Sequence, residues 1–203
     1  KPVSSTMRTP GDDINLVKGW LYTFGDVAAD EVLEIKHTGT QALKTGESNR
    51  VVITLQAESK SKIEKLERSE VVNSSCGVCG YKKIDELLSV SDYQARKKEF
   101  TLGYQRIMAL VKELGRHQPL FSATGGCHGV GLFDIQGNLL DVREDVGRHN
   151  AMDKLIGANL HRLGEPLGVI LSGRASFEML LKGVKAQLSV IIAVGAPSSL
   201  AIE

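Results

Sequence analysis

Two nearly continuous apolar segments in the last third of the sequence, residues 167–171 and 190–194, limit the possible folds most strongly. Each has the length of one strand and the unbroken apolar character of strands that are buried on both faces. Between them lies a helical pattern whose apolar residues share one side: Phe177, Leu180, Leu181 and Val184. This order predicts a βαβ unit with parallel strands, because a parallel pair requires a crossover connection.

A second group of strands precedes this unit. Residues 129–135 and 139–143 flank Gln136-Gly137-Asn138, which predicts a β-hairpin because glycine adopts positive φ without steric cost. We also predict a helix that ends at Gly115, and another that begins with Asn150 as its N-cap and closes at Gly164. Residues 73–203 are therefore expected to form an α/β core.

Residues 1–72 have a different pattern, that of a smaller α+β part. Asp12 or Asp13 is suited to cap a helix that follows the first turn. Leu33 starts a predicted half-buried strand in which apolar and polar side chains alternate, and residues 51–57 continue the same pattern in a second strand.

Bulk composition excludes several classes of protein. The 203 residues carry a formal net charge of +1 and 42% apolar side chains, so the chain as a whole has no attraction to nucleic acid, membranes or acidic partners. The longest apolar run is far too short to span a bilayer, and residues 1–10 lack the apolar core of a signal peptide. Three cysteines always leave one thiol unpaired, which favours a reducing compartment over a disulfide framework. We expect a cytoplasmic protein.

Cys76 and Cys79 stand in a loop of small residues, NSSCGVCG at 73–80, just before a predicted helix. Sulfur exchange requires a reachable thiolate, and free backbone N–H groups at a helix N-terminus favour that form. The second thiol can resolve the first as a disulfide or help to hold a sulfur intermediate. From the residues alone, a redox or sulfur-handling pair is preferred, and half of a metal site or incidental packing remains open.

Cys127 and His128 offer one concrete form of the metal alternative. Together with Cys76 and Cys79 they would supply four ligands to zinc, although neighbouring residues rarely face one ion unless the backbone turns sharply. We therefore predict no metal site and expect Cys127 to be a small buried thiol at the start of a strand. His128 has two interpretations of equal weight: a proton donor or orienting group, or a solvated histidine without a role.

Two strand ends predict a binding site for an anion. The buried strands are followed by Ser172-Gly173-Arg174 and by Gly195-Ala196-Pro197-Ser198-Ser199. In open α/β sheets, ligands bind beyond the carboxyl ends of the strands, where helix N-termini present free N–H groups. Arg174 would add a bidentate contact to a phosphate or a guanine edge. The alternative is that Ser172 and Ser198 are helix caps and Arg174 is a surface charge.

A charged loop follows the hairpin at residues 143–150 (REDVGRHN). The sequence favours equally a role in ligand binding and a purely structural role for this loop. Arg148 and His149 are candidates for binding the ligand, because charges gathered around a glycine are costly unless they pair or bind something. Capping by Asn150 explains part of the run. Arg8, in the first turn of the chain, is a further candidate contact.

Six motifs resemble those of the formate dehydrogenase accessory (FdhD) family and occur in the family's order across nearly the whole chain. They are MRTPGD (7–12), SSCGVCG (74–80), TGGCH (124–128), REDVGRHNAMDK (143–154), LSGRASFE (171–178) and VGAPSSLA (194–201). One CxxC alone would be weakly specific, whereas this ordered series is very specific. The resemblance implies a cytidine deaminase-like mixed sheet with helices on both faces, assembled as a homodimer.

The same resemblance implies a function. It is that of a sulfur carrier, or sulfurtransferase, between a cysteine desulfurase and the molybdenum of the bis(molybdopterin guanine dinucleotide) cofactor of formate dehydrogenase. Cys76 resembles the cysteine that holds the persulfide and Cys79 its partner, and residues 172–174 and 195–199 resemble part of the pocket for the guanine dinucleotide. The molybdenum cofactor is then a bound substrate, and the protein has no catalytic metal of its own. The family pattern also has a strand before the position of Met7 and a segment after that of Glu203, which helps to bind the dinucleotide.

Two alternative functions stand beside this one, a structural zinc-binding module and a noncatalytic chaperone of the cofactor. An escort has no need of paired thiols, which disfavours the chaperone. A zinc deaminase is not expected in spite of the implied fold, because it needs His-x-Glu and Pro-Cys-x-x-Cys motifs. No histidine here is followed by x-Glu, and Ser75 takes the place of the proline.

Overall fold

The computed structural model describes residues 2–39, 48–59, 61–62 and 101–203. Its strands are Val32–His37 (β1), Val51–Leu55 (β2), His128–Phe133 (β3), Leu139–Asp145 (β4), Gly168–Arg174 (β5) and Val190–Gly195 (β6). Its helices are Asp13–Gly25 (α1), Tyr104–Arg116 (α2), Pro119–Thr124 (α3), Arg148–Ala158 (α4), Phe177–Lys185 (α5) and Ser199–Ile202 (α6). Among the described residues, none of the helices has the length and apolar character needed to cross a membrane.

The larger sheet is mixed, with the strand order β4-β3-β5-β6. β3 pairs antiparallel with β4 on one side and with β5 on the other, while β5 and β6 are parallel. Helix α5 connects the two parallel strands, so the predicted βαβ unit is confirmed. The α/β class with a mixed sheet is confirmed as well.

Helices cover both faces of this sheet. Because side chains alternate along a strand, Val169 and Leu171 of β5 pack against α4 and α5, while Ile170 packs against α2. Phe133 of β3 joins Ile170 on the α2 face, and Leu110 of α2 is completely buried against them. The core around this sheet therefore consists of two apolar layers, one on each face.

The expectation that β6 is buried on both faces is wrong. β5 lies inside the sheet and its first four residues are buried, whereas β6 lies at the edge of the described sheet and is mostly half-buried. Val194 has 56% of its surface exposed. An apolar run indicates a strand, but it does not distinguish a central position from an edge.

The predicted hairpin is confirmed, but the predicted cap of the next helix is wrong. Gly137 has φ +83° in the turn, and the carboxylate of Asp134 accepts hydrogen bonds from the N–H groups of Gln136 and Asn138. Helix α4 begins at Arg148, two residues before the predicted cap. Asn150 lies inside the first turn, and its side-chain oxygen, the atom that would accept a capping hydrogen bond, accepts one from Oγ1 of Thr6 at 3.4 Å instead.

Helix α1 and the antiparallel pair β1–β2 form the N-terminal α+β elements. Asp12 occupies the N-cap position of α1, but its side chain makes no capping hydrogen bond. Leu33, predicted to be half-buried, is 62% exposed. The pairing of β1 with β2 is irregular between Val32 and Glu34, and the extra residue turns Leu33 outward while Val32 packs inward. The predicted domain boundary at residue 72 lies outside the described residues and stays a prediction.

Helices α1 and α4 cross at very close range. A Cβ atom added to Gly19 would lie 1.9 Å from the carbonyl oxygen of Asp153, and one added to Gly157 would lie 1.9 Å from that of Asn15. Only a residue without a Cβ allows the two backbones to approach in this way. Helix α4 is therefore enclosed by the sheet and by α1, and eight consecutive residues of it, 150–157, are buried.

Replacing Gly19 with alanine should lower the free energy of unfolding by about 1–3 kcal/mol or more, because overpacking a tight contact forces the backbones apart. Gly115→Ala is a matched control, since a Cβ there meets nothing within 4 Å and alanine is the better helix former. Urea denaturation of both variants gives the comparison. Equal unfolding free energies in the two variants would contradict the close crossing.

Candidate functional site

The candidate site lies at the carboxyl ends of the parallel strands β5 and β6. Arg174, the last residue of β5, pairs in register with Gly195 at the end of β6. The loops that follow are joined by a hydrogen bond of 2.9 Å from the N–H of Ser198 to the carbonyl of Ala175. The exposed residues of the two ends are Arg174, Ala196, Pro197, Ser198 and Ser199. The two predicted strand ends thus lie side by side with polar groups accessible.

Ser172 and Gly173 connect β5 to the start of β3. Ser172 Oγ accepts a hydrogen bond of 2.9 Å from the N–H of Gly129. The ring of His128 lies close to Gly173, where a Cβ would be 3.1 Å from Nδ1. Helix α5 begins after Ser176, so Ser172 is not its cap. The serine instead fixes the strand that carries the histidine.

Four basic side chains gather beside this strand end: His128, Arg148, His149 and Arg174. Burial lowers the pKa of His128, and the positive charges of Arg148, Arg174 and His149 lower it further. His128 is therefore neutral at neutral pH, and the positive charges around it favour an anionic ligand. Three elements, β3, α4 and β5, contribute to this cationic cluster.

His149 also contacts a buried carboxylate. Its Nε2 lies 3.0 Å from Oε2 of Glu178 and 3.3 Å from Oγ of Ser176. Only 3% of the Glu178 side chain is exposed, and neither of its oxygens is aligned for a hydrogen bond to a described residue. A carboxylate in such surroundings requires nearby positive charge, and the buried ammonium group of Lys182 lies close enough for Glu178 to raise its pKa. Glu178 thus orients the imidazole at the first turn of α5.

A second buried cluster joins three helices beneath the site. Nζ of Lys182 in α5 lies 2.5 Å from Oδ1 of Asp153 in α4 and 3.1 Å from Oγ1 of Thr23 in α1. Burial raises the pKa of Asp153 and lowers the pKa of Lys182, while the attraction between the two groups opposes both shifts. Because this pair is closed to solvent, it belongs to the scaffold that holds α4.

The charged loop 143–150 is divided between scaffold and site. Asp145 is fully buried, and its Oδ2 lies 2.8 Å from Nζ of Lys154 and accepts a hydrogen bond of 3.0 Å from the N–H of Thr9. Lys154 also donates to the carbonyl of Thr9 at 3.0 Å. Asp145 and Lys154 therefore anchor the N-terminal segment on the sheet. Arg148 and His149, which follow in the same loop, belong to the cationic cluster.

Arg8, the candidate from the N-terminal segment, forms an ion pair with the first turn of α1. Its Nη2 lies 2.6 Å from Oδ2 of Asp13, and the two side chains are only 15% and 4% exposed. The pairing orients the guanidinium group. A contact between Arg8 and a ligand stays a prediction.

An open cleft of about 400 Å³ lies on the α2 side of the sheet, next to the strand end. Its apolar lining is Val111, Leu114, Phe121 and Val194, and its polar lining is Gln118, Cys127, His128 and Ser172. Cys127 is half-buried and lines the cleft, so the expectation of a buried structural thiol is wrong. The residue directly precedes β3, where the cleft separates helices α2 and α3 from the end of the sheet. Its Sγ lies 3.8 Å from Oγ1 of Thr9.

Cys76 and Cys79 lie outside the described residues, and so does half of the four-ligand zinc alternative. Within the ranges that the structure describes, no group of three or more His, Cys, Asp or Glu side chains is placed to hold a metal ion. The sulfur site at Cys76 and the lack of a metal site both stay predictions.

Three residues that shape the site were not predicted from the sequence. Gln118 precedes a proline in a short connection and has no neighbouring motif, so no pattern indicates that it lines a cleft. Thr9 reaches Cys127 only through tertiary contacts. Glu178 lies within the LSGRASFE motif, which is the one signal that could have identified it.

Comparison with known proteins gives a consistent result over the whole chain. The FdhD/NarQ family model matches residues 1–203. The sulfur carrier protein FdhD of Mycobacterium tuberculosis is 40% identical over 210 residues, covering 100% of this chain and 76% of that protein. The protein of the same name from Streptomyces coelicolor is 38% identical over 209 residues, covering 100% and 74%.

A solved structure is also similar. The crystal structure, described as that of a formate dehydrogenase accessory protein from Desulfotalea psychrophila, matches with a TM-score of 0.67 and 25% sequence identity. The match covers 98% of this chain and 76% of that one. The similarity therefore extends to the arrangement of the elements as well as to the sequence.

Replacing Arg174 with glutamine should raise the pKa of His128 toward its ordinary value of 6.5, because one of the positive charges that face the imidazole is removed. Burial, the larger cause, is unchanged, so the recovery should be partial. The proton NMR titration of the His128 ring measures the shift, and Arg162→Gln, in the short turn that follows the C-terminus of α4, is the control.

The same shift determines a dependence of stability on pH. The pKa of His128 is lower in the folded protein than in the unfolded chain, where it is about 6.5. The neutral imidazole therefore contributes its full stabilisation of the fold above about pH 6.5. This stabilisation is lost as the pH falls from there through the folded-state pKa. The parent protein should lose more stability than Arg174→Gln in that window. An identical His128 titration in the two proteins would argue against the cationic cluster.

Proposed function

Since this chain belongs to the FdhD/NarQ family, we propose that it is a sulfur carrier, and more specifically a sulfurtransferase that works through a persulfide on Cys76. The relatives that match over the full chain are named sulfur carrier proteins, and they supply the first support. The paired thiols of Cys76 and Cys79 in a loop of small residues supply the second. A thiolate there can attack a persulfide, and a neighbouring thiol can assist in releasing the sulfur.

The proposed reaction begins with sulfur transfer from a cysteine desulfurase. The thiolate of Cys76 attacks the terminal sulfur of the donor's persulfide, a new S–S bond forms, and the old S–S bond breaks with its electron pair on the donor's cysteine. The sulfur stays at the same oxidation level, so this step requires no oxidant or reductant. Cys76 then carries the terminal sulfur to an acceptor.

The proposed acceptor is the molybdenum of a bis(molybdopterin guanine dinucleotide) cofactor bound as substrate, for later use in formate dehydrogenase. The observation that carries this proposal is the cationic cluster of His128, Arg148, His149 and Arg174 beside the ends of β5 and β6. A guanine dinucleotide contains a diphosphate, and clustered guanidinium and imidazole groups bind phosphate through charge-assisted hydrogen bonds. Arg8 and the loop at 195–198 are the further proposed contacts.

Several finer features follow from the family resemblance and are proposed with it. The mixed sheet is proposed to be cytidine deaminase-like, although the sequence lacks the motifs of a zinc deaminase. The protein is proposed to work in the cytoplasm as a homodimer, with a cysteine desulfurase and formate dehydrogenase as its partners. The formate dehydrogenase connection is supported by the description of the similar crystal structure.

Cys76→Ala should abolish sulfur loading at residue 76. The parent protein and the variant would be incubated with a cysteine desulfurase and cysteine, and mass spectrometry with peptide mapping would locate the sulfane sulfur. Cys127→Ser is the matched control and should still load residue 76. If Cys76→Ala gains sulfur from the desulfurase as readily as the parent, the persulfide assignment is wrong.

The two alternative functions give different results in companion measurements. A structural zinc module would contain stoichiometric metal by elemental analysis and would lose it when Cys76 and Cys79 are replaced by serine. A noncatalytic chaperone would support full formate dehydrogenase activity with both cysteines replaced. The sulfurtransferase should lose that support.

Arg174→Ala should weaken the binding of guanosine diphosphate, because it removes a guanidinium group from the cationic cluster. Loss of one charge-assisted hydrogen-bonded contact corresponds to about a tenfold to hundredfold rise in Kd. Isothermal titration calorimetry measures the effect, with Arg162→Ala as a control for the loss of a surface arginine. An unchanged affinity in Arg174→Ala would count against the pocket.

A further inference from the structure

The cleft beside the cationic cluster contains a thiol that the proposed route through Cys76 does not use. Cys127 is half-buried, unpaired in a disulfide, and lines the cleft together with His128 and Gln118. It stands at the amino end of β3, on the side of the sheet that faces α2. A molecule that enters the cleft can therefore approach the thiol.

The hydroxyl of Thr9 lies within hydrogen-bonding distance of this sulfur, and either group can donate. Oγ1 of Thr9 lies 3.8 Å from Sγ of Cys127 and accepts a hydrogen bond of 2.9 Å from the N–H of Val146. Because an oxygen lone pair is engaged by that N–H, the hydroxyl hydrogen is available to point toward the sulfur. The backbone of Thr9 is held on both sides by Asp145 and Lys154, so the hydroxyl is fixed in place.

The buried amide of Gln118 independently indicates that a ligand binds in the cleft. Its side chain is only 4% exposed and lines the same cleft, yet its Nε2 has no hydrogen-bond partner among the described residues. Leaving a buried amide donor unsatisfied costs free energy, so such a group is expected to meet an acceptor. The acceptor would come from whatever enters the cleft.

The amide of Gln118 lies over the second residue of β3, two positions after the thiol. A Cβ on Gly129 would be 2.4 Å from Nε2 of Gln118, so the amide lies directly over that position. Gln118 and Cys127 both line the cleft. An acceptor that reaches Nε2 from the cleft therefore lies in the same space that the thiol faces.

His128 adds a group that can exchange a proton. The residue lines the cleft, and burial keeps the pKa of its imidazole below the ordinary value, so the ring is neutral at neutral pH and can accept a proton. A thiol that is to act as a nucleophile must first give up its proton. The cleft is thus lined by a thiol, a residue with a neutral imidazole and a buried amide donor, and the hydroxyl of Thr9 lies next to the thiol.

We propose that Cys127 is a second sulfur-accepting thiol, which takes the terminal sulfur of a persulfide in this cleft and holds it with Gln118 Nε2 and Thr9 Oγ1 as hydrogen-bond donors. The proposal rests on the proposed sulfur-carrier function and adds a site to it. The thiolate of Cys127 attacks the terminal sulfur of the persulfide, one S–S bond forms and one breaks, and the departing sulfur leaves as a thiolate that takes up the proton. No oxidant or reductant is consumed.

Two sources can supply the persulfide, the loaded Cys76 of this protein or a small persulfide such as glutathione persulfide. The experiment uses the full chain in two arms. In the first, the parent is loaded by a cysteine desulfurase and cysteine. In the second, Cys76→Ala is treated with glutathione persulfide. Peptide mapping by mass spectrometry then measures sulfane sulfur on residue 127 in each arm.

Sulfur on Cys127 in the first arm that disappears when Cys76→Ala replaces the parent there would identify Cys76 as the donor, and sulfur on Cys127 in the second arm would show that small persulfides also enter the cleft. Sulfur that loads Cys76 in the parent and never appears on Cys127 in either arm would overturn the proposal while leaving the persulfide at Cys76 intact. Failure to load Cys76 would instead contradict the proposed function.

Gln118→Met tests the hydrogen-bond donor separately, because it preserves the length of the side chain and removes the amide. The persulfide on Cys127 should be lost about tenfold faster in this variant, the effect of one hydrogen bond to a charged sulfur. Gln136→Met, the same change at an exposed position of the hairpin, should retain the parent lifetime. Equal lifetimes in Gln118→Met and the parent would contradict the role of Gln118.

Discussion

The ion pair between Asp145 and Lys154 is closed to water and holds together the end of β4, helix α4 and the N-terminal segment. Removing either charge would leave the other buried without a partner, at a cost of about 3–5 kcal/mol. The pair also holds the backbone of Thr9 through its N–H and its carbonyl. Since the hydroxyl of Thr9 meets Cys127, an interaction in the core determines which groups surround a thiol at the surface.

The site has its charges arranged in two layers. The outer layer is positive, with Arg148 and Arg174 close enough to His128 to lower its pKa. The inner layer contains the buried carboxylates of Asp153 and Glu178, partly balanced by Lys182. Such an arrangement orients the basic groups before an anion arrives, so that binding does not have to organise them.

Local patterns predicted the elements well where short-range sterics determine them. The apolar runs of β5 and β6 and the glycine of the hairpin turn were identified for this reason. The errors occur where tertiary contacts replace the local rule. Asn150 has the side chain of an N-cap, but its oxygen accepts a hydrogen bond from Thr6 and its NH2 group donates to Met7 and Asp145. Leu33 has the spacing of an inward residue, but an irregularity in the pairing of β1 and β2 turns it to solvent.

The order of the six motifs and the periodicity of the strands and helices are properties of the sequence by itself, and they were sufficient to identify the family, the α/β class and the two strand ends. Only the tertiary structure brought Thr9 to Asp145 and to Cys127, across separations of 136 and 118 residues. It alone placed Gln118 in the cleft. The physical reason is that propensity and periodicity act over a few neighbouring residues, whereas the environment of a side chain depends on every segment that packs around it.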